Sequence, residues 1–176
     1  KDALDGVKAL VRSGDLSSTR VALSVGIEVA AQTKWGKANP KVVEKLRTMH
    51  GDTKIKANLD EGLGMALDGK IRLKKDLLKS PEALASVLAH EGTHVHQGSN
   101  CCGGKGTASL AGETAGNLAG AKVWQEIGKR DDPAVSGQLE QLNGYADALK
   151  NGGEAGVRDR VAEKYIANAK EKIAER

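Results

Sequence analysis

Leu84–Gln97 reads LASVLAHEGTHVHQ, and within it His90-Glu91-Gly92-Thr93-His94 is an HExxH pentapeptide. Leu84, Val87, Leu88 and Val95 recur at helical spacing. Ser80-Pro81, just upstream, supplies an N-cap and a residue suited to a first helical turn. The stretch is therefore expected to be a helix. Residues four apart share a helix face, so both imidazoles can reach one metal ion. Glu91 lies about 100° further round, where its carboxylate can reach a water beside that ion. Two neutral histidines suit zinc, and a carboxylate next to an activated water can serve as its general base. The alternative is two helical histidines held by ordinary hydrogen bonds.

Downstream, residues 98–106 (GSNCCGGKG) have the composition of a loop. Thr107–Ile127 then reads as a long Ala/Gly-rich helix with Leu110, Glu113, Asn117, Ala121 and Trp124 on one stripe. Glu113 sits where an apolar face should meet the core, and a buried carboxylate is costly unless it is paired or bound to a metal. With His90 and His94 it completes a His₂Glu donor set that leaves a fourth position open, the pattern of a catalytic rather than a structural zinc. The alternative is a buried acid paired with Lys or Arg. Asn117, one turn on, can hydrogen-bond a ligand or serve a helix–helix contact. Small neighbours, Gly116 and Gly120 among them, allow close packing of this helix on another.

Upstream, Met65-Ala66-Leu67 and Lys70-Ile71-Arg72-Leu73 flank Asp68-Gly69, a strong hairpin signal, and Lys54–Ala57 alternates. A small antiparallel sheet just before the HExxH helix is expected. It either holds an extended peptide along an exposed strand or only covers the helix. Residues 1–52 read as a helical layer, with helices over about Asp2–Val11, from Asp15-Leu16-Ser17 to near Trp35-Gly36, and from Asn39-Pro40 to Gly51-Asp52. Residues 131–176 read as C-terminal helices, one starting at Asp132-Pro133 and a last one from Glu154. The expectation is one α+β, mostly helical domain over residues 1–176, with its core at 53–130.

Composition narrows the function. Aromatics make up 2% of the chain and Phe is absent, so Leu, Val, Ile and Ala must build the core. The net charge of +4 is concentrated in Lys34–Lys79, which carries 12 Lys/Arg against 6 Asp/Glu. That is either a solvated basic face or a preference for acidic partners. Without interleaved aromatics, nucleic-acid binding is not expected, and no apolar run is long enough to span a bilayer. Cys101 and Cys102 are adjacent and give no disulfide framework. Free thiols, a vicinal disulfide or a soft metal ligand are the alternatives. The chain starts at Lys1 without a recognisable signal peptide, as a processed product or a piece of a longer polypeptide would.

HExxH followed after nineteen residues by a Glu on its own helix resembles the gluzincin branch of the zincin metallopeptidases, over about Lys70–Ile127. The resemblance implies a small twisted sheet over an active-site helix, with a second helix delivering the glutamate. His90, His94 and Glu113 would be zinc ligands and Glu91 the general base. The metzincin pattern HExxHxxGxxH fits poorly, because Gln97 and Asn100 stand at its glycine and third histidine. The family's Asp one turn after the ligand Glu is Asn117 here. Tyr145, Tyr165 and His50 are the candidates for stabilising an oxyanion. His96 points roughly 200° away from His94 on a continuous helix and is excluded as a ligand. In general character the chain also resembles metallopeptidase toxin and effector domains of bacterial polymorphic toxins. That implies secretion or delivery into a target cell, and an immunity protein that blocks the cleft.

The resulting expectation is a Zn²⁺-dependent peptidase, most simply an endopeptidase acting on a protein or peptide. Zinc acidifies a water, Glu91 takes its proton, and the same carboxyl passes the proton to the leaving amine. The competing readings are a non-catalytic adaptor domain on a zincin fold and an autoprocessing domain of a larger polypeptide.

Overall fold

A computed structural model describes residues 2–14, 18–98 and 109–174. In chain order it comprises α1 (Asp2–Ser13), α2 (Thr19–Gln32), α3 (Lys34–Ala38), α4 (Pro40–Gly51), β1 (Ile55–Leu59), β2 (Gly64–Leu67), β3 (Lys70–Lys74), α5 (Pro81–His96), α6 (Leu110–Ile127) and α7 (Leu139–Ala174). Single 3₁₀ segments precede α5 and α7. The architecture is α+β and mostly helical. None of the described helices is long and apolar enough to cross a membrane. The expected caps at Asp15–Ser17 and the Cys101-Cys102 pair lie outside the described residues.

The HExxH helix is the centre of the core. Ser80 caps it by accepting from the Ala83 N–H, and Pro81 occupies its first turn. From Pro81 to Ala89 every residue is buried, as expected of a helix surrounded on all sides. Leu84 meets α2, Gly92 lies against Leu46 of α4, and Ser86 donates from its hydroxyl to the Gly120 carbonyl of α6. Leu84, Leu88, Ile27, Leu46, Ile71, Leu73 and Leu77 are fully buried around it. Replacing Leu88 by Ala should destabilise the fold by about 2–5 kcal/mol, since the removed methyl groups leave a cavity. Urea denaturation of the two proteins measures it.

The N-terminus of α5 is fixed by a polar cluster. Asp132, almost fully buried, accepts from the Ser80 hydroxyl at 2.6 Å, the Ala134 N–H at 3.0 Å and Arg12 at 3.3 Å, and Arg12 also pairs with Glu82. Burial pushes the Asp132 carboxyl up, but the Ser80 hydroxyl, the Ala134 N–H and the Arg12 guanidinium outweigh it and hold it below its ordinary value. A folded-state value below the unfolded one, about 3.9, gives stability that is present above that pH and lost as pH falls through the folded value. The stability difference between wild type and Asp132→Asn should therefore be constant from pH 7 to 5 and shrink below about pH 4. Denaturation curves at pH 7, 5 and 3.5 test this.

Asp68 and Gly69 both have positive φ, 51° and 68°, as a two-residue hairpin turn requires. They set β2 antiparallel to β3, pairing Ala66 with Ile71. The sheet is not wholly antiparallel, however. Its order is β1-β3-β2, and β1 runs parallel to β3, with Ile55 opposite Ile71 and Ala57 opposite Leu73. The hairpin leaves the outer edge of β3 open, and residues 60–63 carry the chain from β1 across to β2, so β1 fills that edge in the direction of β3. Alternation alone could not distinguish these pairings. Two further boundaries differ from expectation. The second helix ends at Thr33, whose hydroxyl accepts from the Gly36 N–H and starts α3, and Asp132-Pro133 opens a 3₁₀ segment rather than an α-helix. Gly153 (φ 61°, ψ −148°) interrupts α7, so residues 154–174 form a separate last helical stretch, as Asn151-Gly152-Gly153 led one to expect.

Candidate metal centre

His90 and His94 lie one turn apart on α5, and their Nε2 atoms are 3.1 Å from each other. Glu113, in the first turn of α6, brings Oε2 to 3.8 Å from His90 Nε2 and Oε1 to 3.7 Å from His94 Nε2. One ligand atom from each of the three residues thus falls within 4.8 Å of the others, the one such group of His, Cys, Asp or Glu among the described residues. Four-coordinate zinc with ordinary bonds of 2.0–2.2 Å separates its donors by about 3.4 Å, so these spacings, and two imidazoles with one carboxylate, fit such an ion.

The packing of α6 on α5 makes the cluster possible. A Cβ on Gly116 would stand 2.6 Å from His94 Nε2 and 3.1 Å from His90 Nε2, so only glycine leaves the space beside the two donor nitrogens open. One turn on, a Cβ on Gly120 would come within 3.1 Å of the Ser86 carbonyl. The small residues of α6 therefore bring Glu113 within reach of the histidines.

The electrostatics suit a cation. Burial, then the neighbouring His94, then Lys164 push His90 down to about 3, and burial takes His94 to about 4. Both rings are thus neutral at physiological pH, with a lone pair to offer. Burial raises the Glu113 carboxyl, an effect that Lys164 partly offsets. Glu91 is 2% exposed, and burial and the Glu113 charge push its carboxyl well up against the Ala66 N–H, which acts in the other direction. Its Oε2 has no hydrogen-bond partner among the described residues, and a Cβ on Gly64 of β2 would meet its Oε1 at 2.6 Å. Two buried carboxyls beside two neutral imidazoles form a site that a divalent cation would stabilise.

A cavity of about 180 Å³ lies beside this cluster, lined by His90, Glu91 and Val87 of α5, whereas His94 and Glu113 stand outside its lining. Residues 59 and 61–65 form one wall, and Gln141, Tyr145 and Lys164 of α7 the other; Asn117 also lines it. Of the residues expected from sequence, His90, Glu91, His94 and Glu113 come together. Asn117 is buried beside them, but its amide donates to the main-chain carbonyl of Glu113 at 2.8 Å rather than to the Glu113 carboxylate. Tyr145 is buried and lines the cavity, whereas Tyr165 is 43% exposed and lies outside its lining. His50 lines a separate depression with Arg20 and Lys56, and His96 is exposed outside the cluster.

Sequence reasoning did not single out Gln141, Lys164 or Gly64. Lys164 left a trace, because it falls on the helical stripe of the buried Val157 and Val161, although its own side chain is exposed. Comparison with known protein families, curated proteins and solved structures finds no match for this chain.

Proposed function

We propose that the chain is a zinc-dependent peptidase of the gluzincin kind, with His90, His94 and Glu113 holding the ion. The observation that carries this reading is the convergence of those three donors on one point, with Glu91, whose Oε2 has no hydrogen-bond partner among the described residues, lining the cavity beside them. Zinc, when bound, would supply a Lewis acid able to acidify a water and polarise a carbonyl.

The chain's own residues would do the rest. His90 and His94, neutral because they are buried, hold their nitrogens toward the ion, and Gly116 keeps that space clear. Glu91 takes a proton from the attacking water and delivers it to the leaving amine, so one carboxyl serves as base and then as acid. The raised proton affinity of its buried carboxyl suits it to hold a proton between the two steps. Tyr145, its hydroxyl kept protonated by burial, is the residue best placed to donate to a developing oxyanion. The small mixed sheet over α5, and a glutamate delivered by the next helix, agree with the arrangement that the resemblance to zincins implies.

Three protein donors leave a position for substrate or water, which favours catalysis over a purely structural ion. The test is to incubate the zinc-loaded chain with a denatured protein mixture and map new N-termini by mass spectrometry. New termini should form with zinc present, cease after chelation and return when zinc is restored. Failure to generate termini, or cleavage indifferent to chelation, would contradict the reading.

A further inference from the structure

Beside the cavity, residues 154–174 present an exposed cation one turn beyond their buried valines. Val157 and Val161 are buried against Ala121 and Tyr145. Three and seven residues on from them, Lys164 falls on the same helical stripe. Its side chain lines the cavity that contains His90 and Glu91. The other cation on this face is already engaged, since the Arg160 guanidinium lies over the Tyr145 ring at 5.2 Å from its centre. Lys164, by contrast, makes no ion pair among the described residues, although its charge acts on both His90 and Glu113. Beside it on the same wall stands Gln141, a side chain with two amide donors. An exposed lysine at the mouth of a small, partly enclosed cavity, making no ion pair of its own among the described residues, is matched by a ligand that brings a carboxylate.

We propose that Lys164 is a specificity-determining residue, and that the cavity takes peptides presenting a carboxylate next to the bond held at the metal centre. This deepens the peptidase reading and rests on it. The carboxylate can come from an Asp or Glu side chain or from a free C-terminus. The first source describes an endopeptidase with acidic preference, the second an enzyme that trims chain ends.

The test uses binding, so that it does not depend on turnover. The 176-residue chain carrying Glu91→Gln is titrated with hexapeptides that carry Glu or Gln at each position in turn, with a free or an amidated C-terminus. A carboxylate at one position should tighten binding about tenfold, the scale of one charge-assisted hydrogen bond. Lys164→Ala should abolish that difference while leaving the amide peptides within about twofold, Lys164→Arg should retain it, and Lys164→Glu should invert it. Loss of the preference on amidating the C-terminus identifies the terminal carboxylate; loss on replacing an internal Glu by Gln identifies the side chain. Equal affinity for acidic and neutral peptides, or an acidic preference that survives Lys164→Glu, overturns the proposal. Cleavage by the wild type is scored separately, so a chain that selects carboxylates but never hydrolyses peptides would refute the peptidase reading and not this one.

Discussion

Glu91→Gln should lower peptide hydrolysis by about 10²–10⁴-fold, the usual contribution of a positioned acid–base group, and leave fold and metal affinity intact. Glutamine has nearly the volume of glutamate and can fill the same space against Gly64, where there is no room for anything larger. Its carbonyl oxygen can still accept from Ala66 N–H. Because burial already drives the Glu91 carboxyl toward its neutral form, a neutral amide costs little there. It cannot accept a proton from water. Cleavage rate, zinc content and unfolding midpoint are measured side by side. Undiminished cleavage removes Glu91 from the mechanism, whereas loss of zinc together with activity makes it a structural residue.

Gly116→Ala should weaken metal binding by about 10–100-fold, the scale seen when groups that orient ligands are disturbed. The added methyl group would sit 2.6 Å from His94 Nε2. Either the imidazoles rotate away or α6 retreats from α5 and takes Glu113 with it. Both separate the donors now 3.1–3.8 Å apart. Gly6→Ala is the control, because a Cβ there meets nothing within 4 Å. It should leave metal affinity unchanged and, in mid-helix, raise stability by about 0.5–1 kcal/mol. Competition with a chromophoric chelator reads the affinities.

These two positions show what was legible in the sequence. His90, Glu91 and His94 could be placed on one helix from periodicity and the Ser80-Pro81 start signal alone, because both are local properties. Glu113 could be singled out because an acid on an otherwise apolar stripe needs a partner. Gly116 could be read only as a small residue permitting close packing; that it faces Nε2 of His94 depends on the rotation of α6 against α5. Asn117 could be read only as a group that hydrogen-bonds a ligand or serves a helix–helix contact, because a helical asparagine can also satisfy its amide on its own backbone, and here it does. The parallel placement of β1 and the arrival of Lys164 at the cavity are consequences of topology over long chain separations. Nothing in the local pattern of Lys54–Ala57 encodes which edge of β3 it joins.

The claim on which the rest depends is that His90, His94 and Glu113 together hold a metal ion. Zinc content and affinity of the purified chain, compared with His94→Ala and Glu113→Ala, test it most directly. The proposed function predicts about one zinc per chain, in keeping with a three-donor site. Both variants should lose it under the same conditions while keeping their helical circular dichroism. A wild-type chain that takes up no zinc, or zinc bound equally well by both variants, would contradict the account.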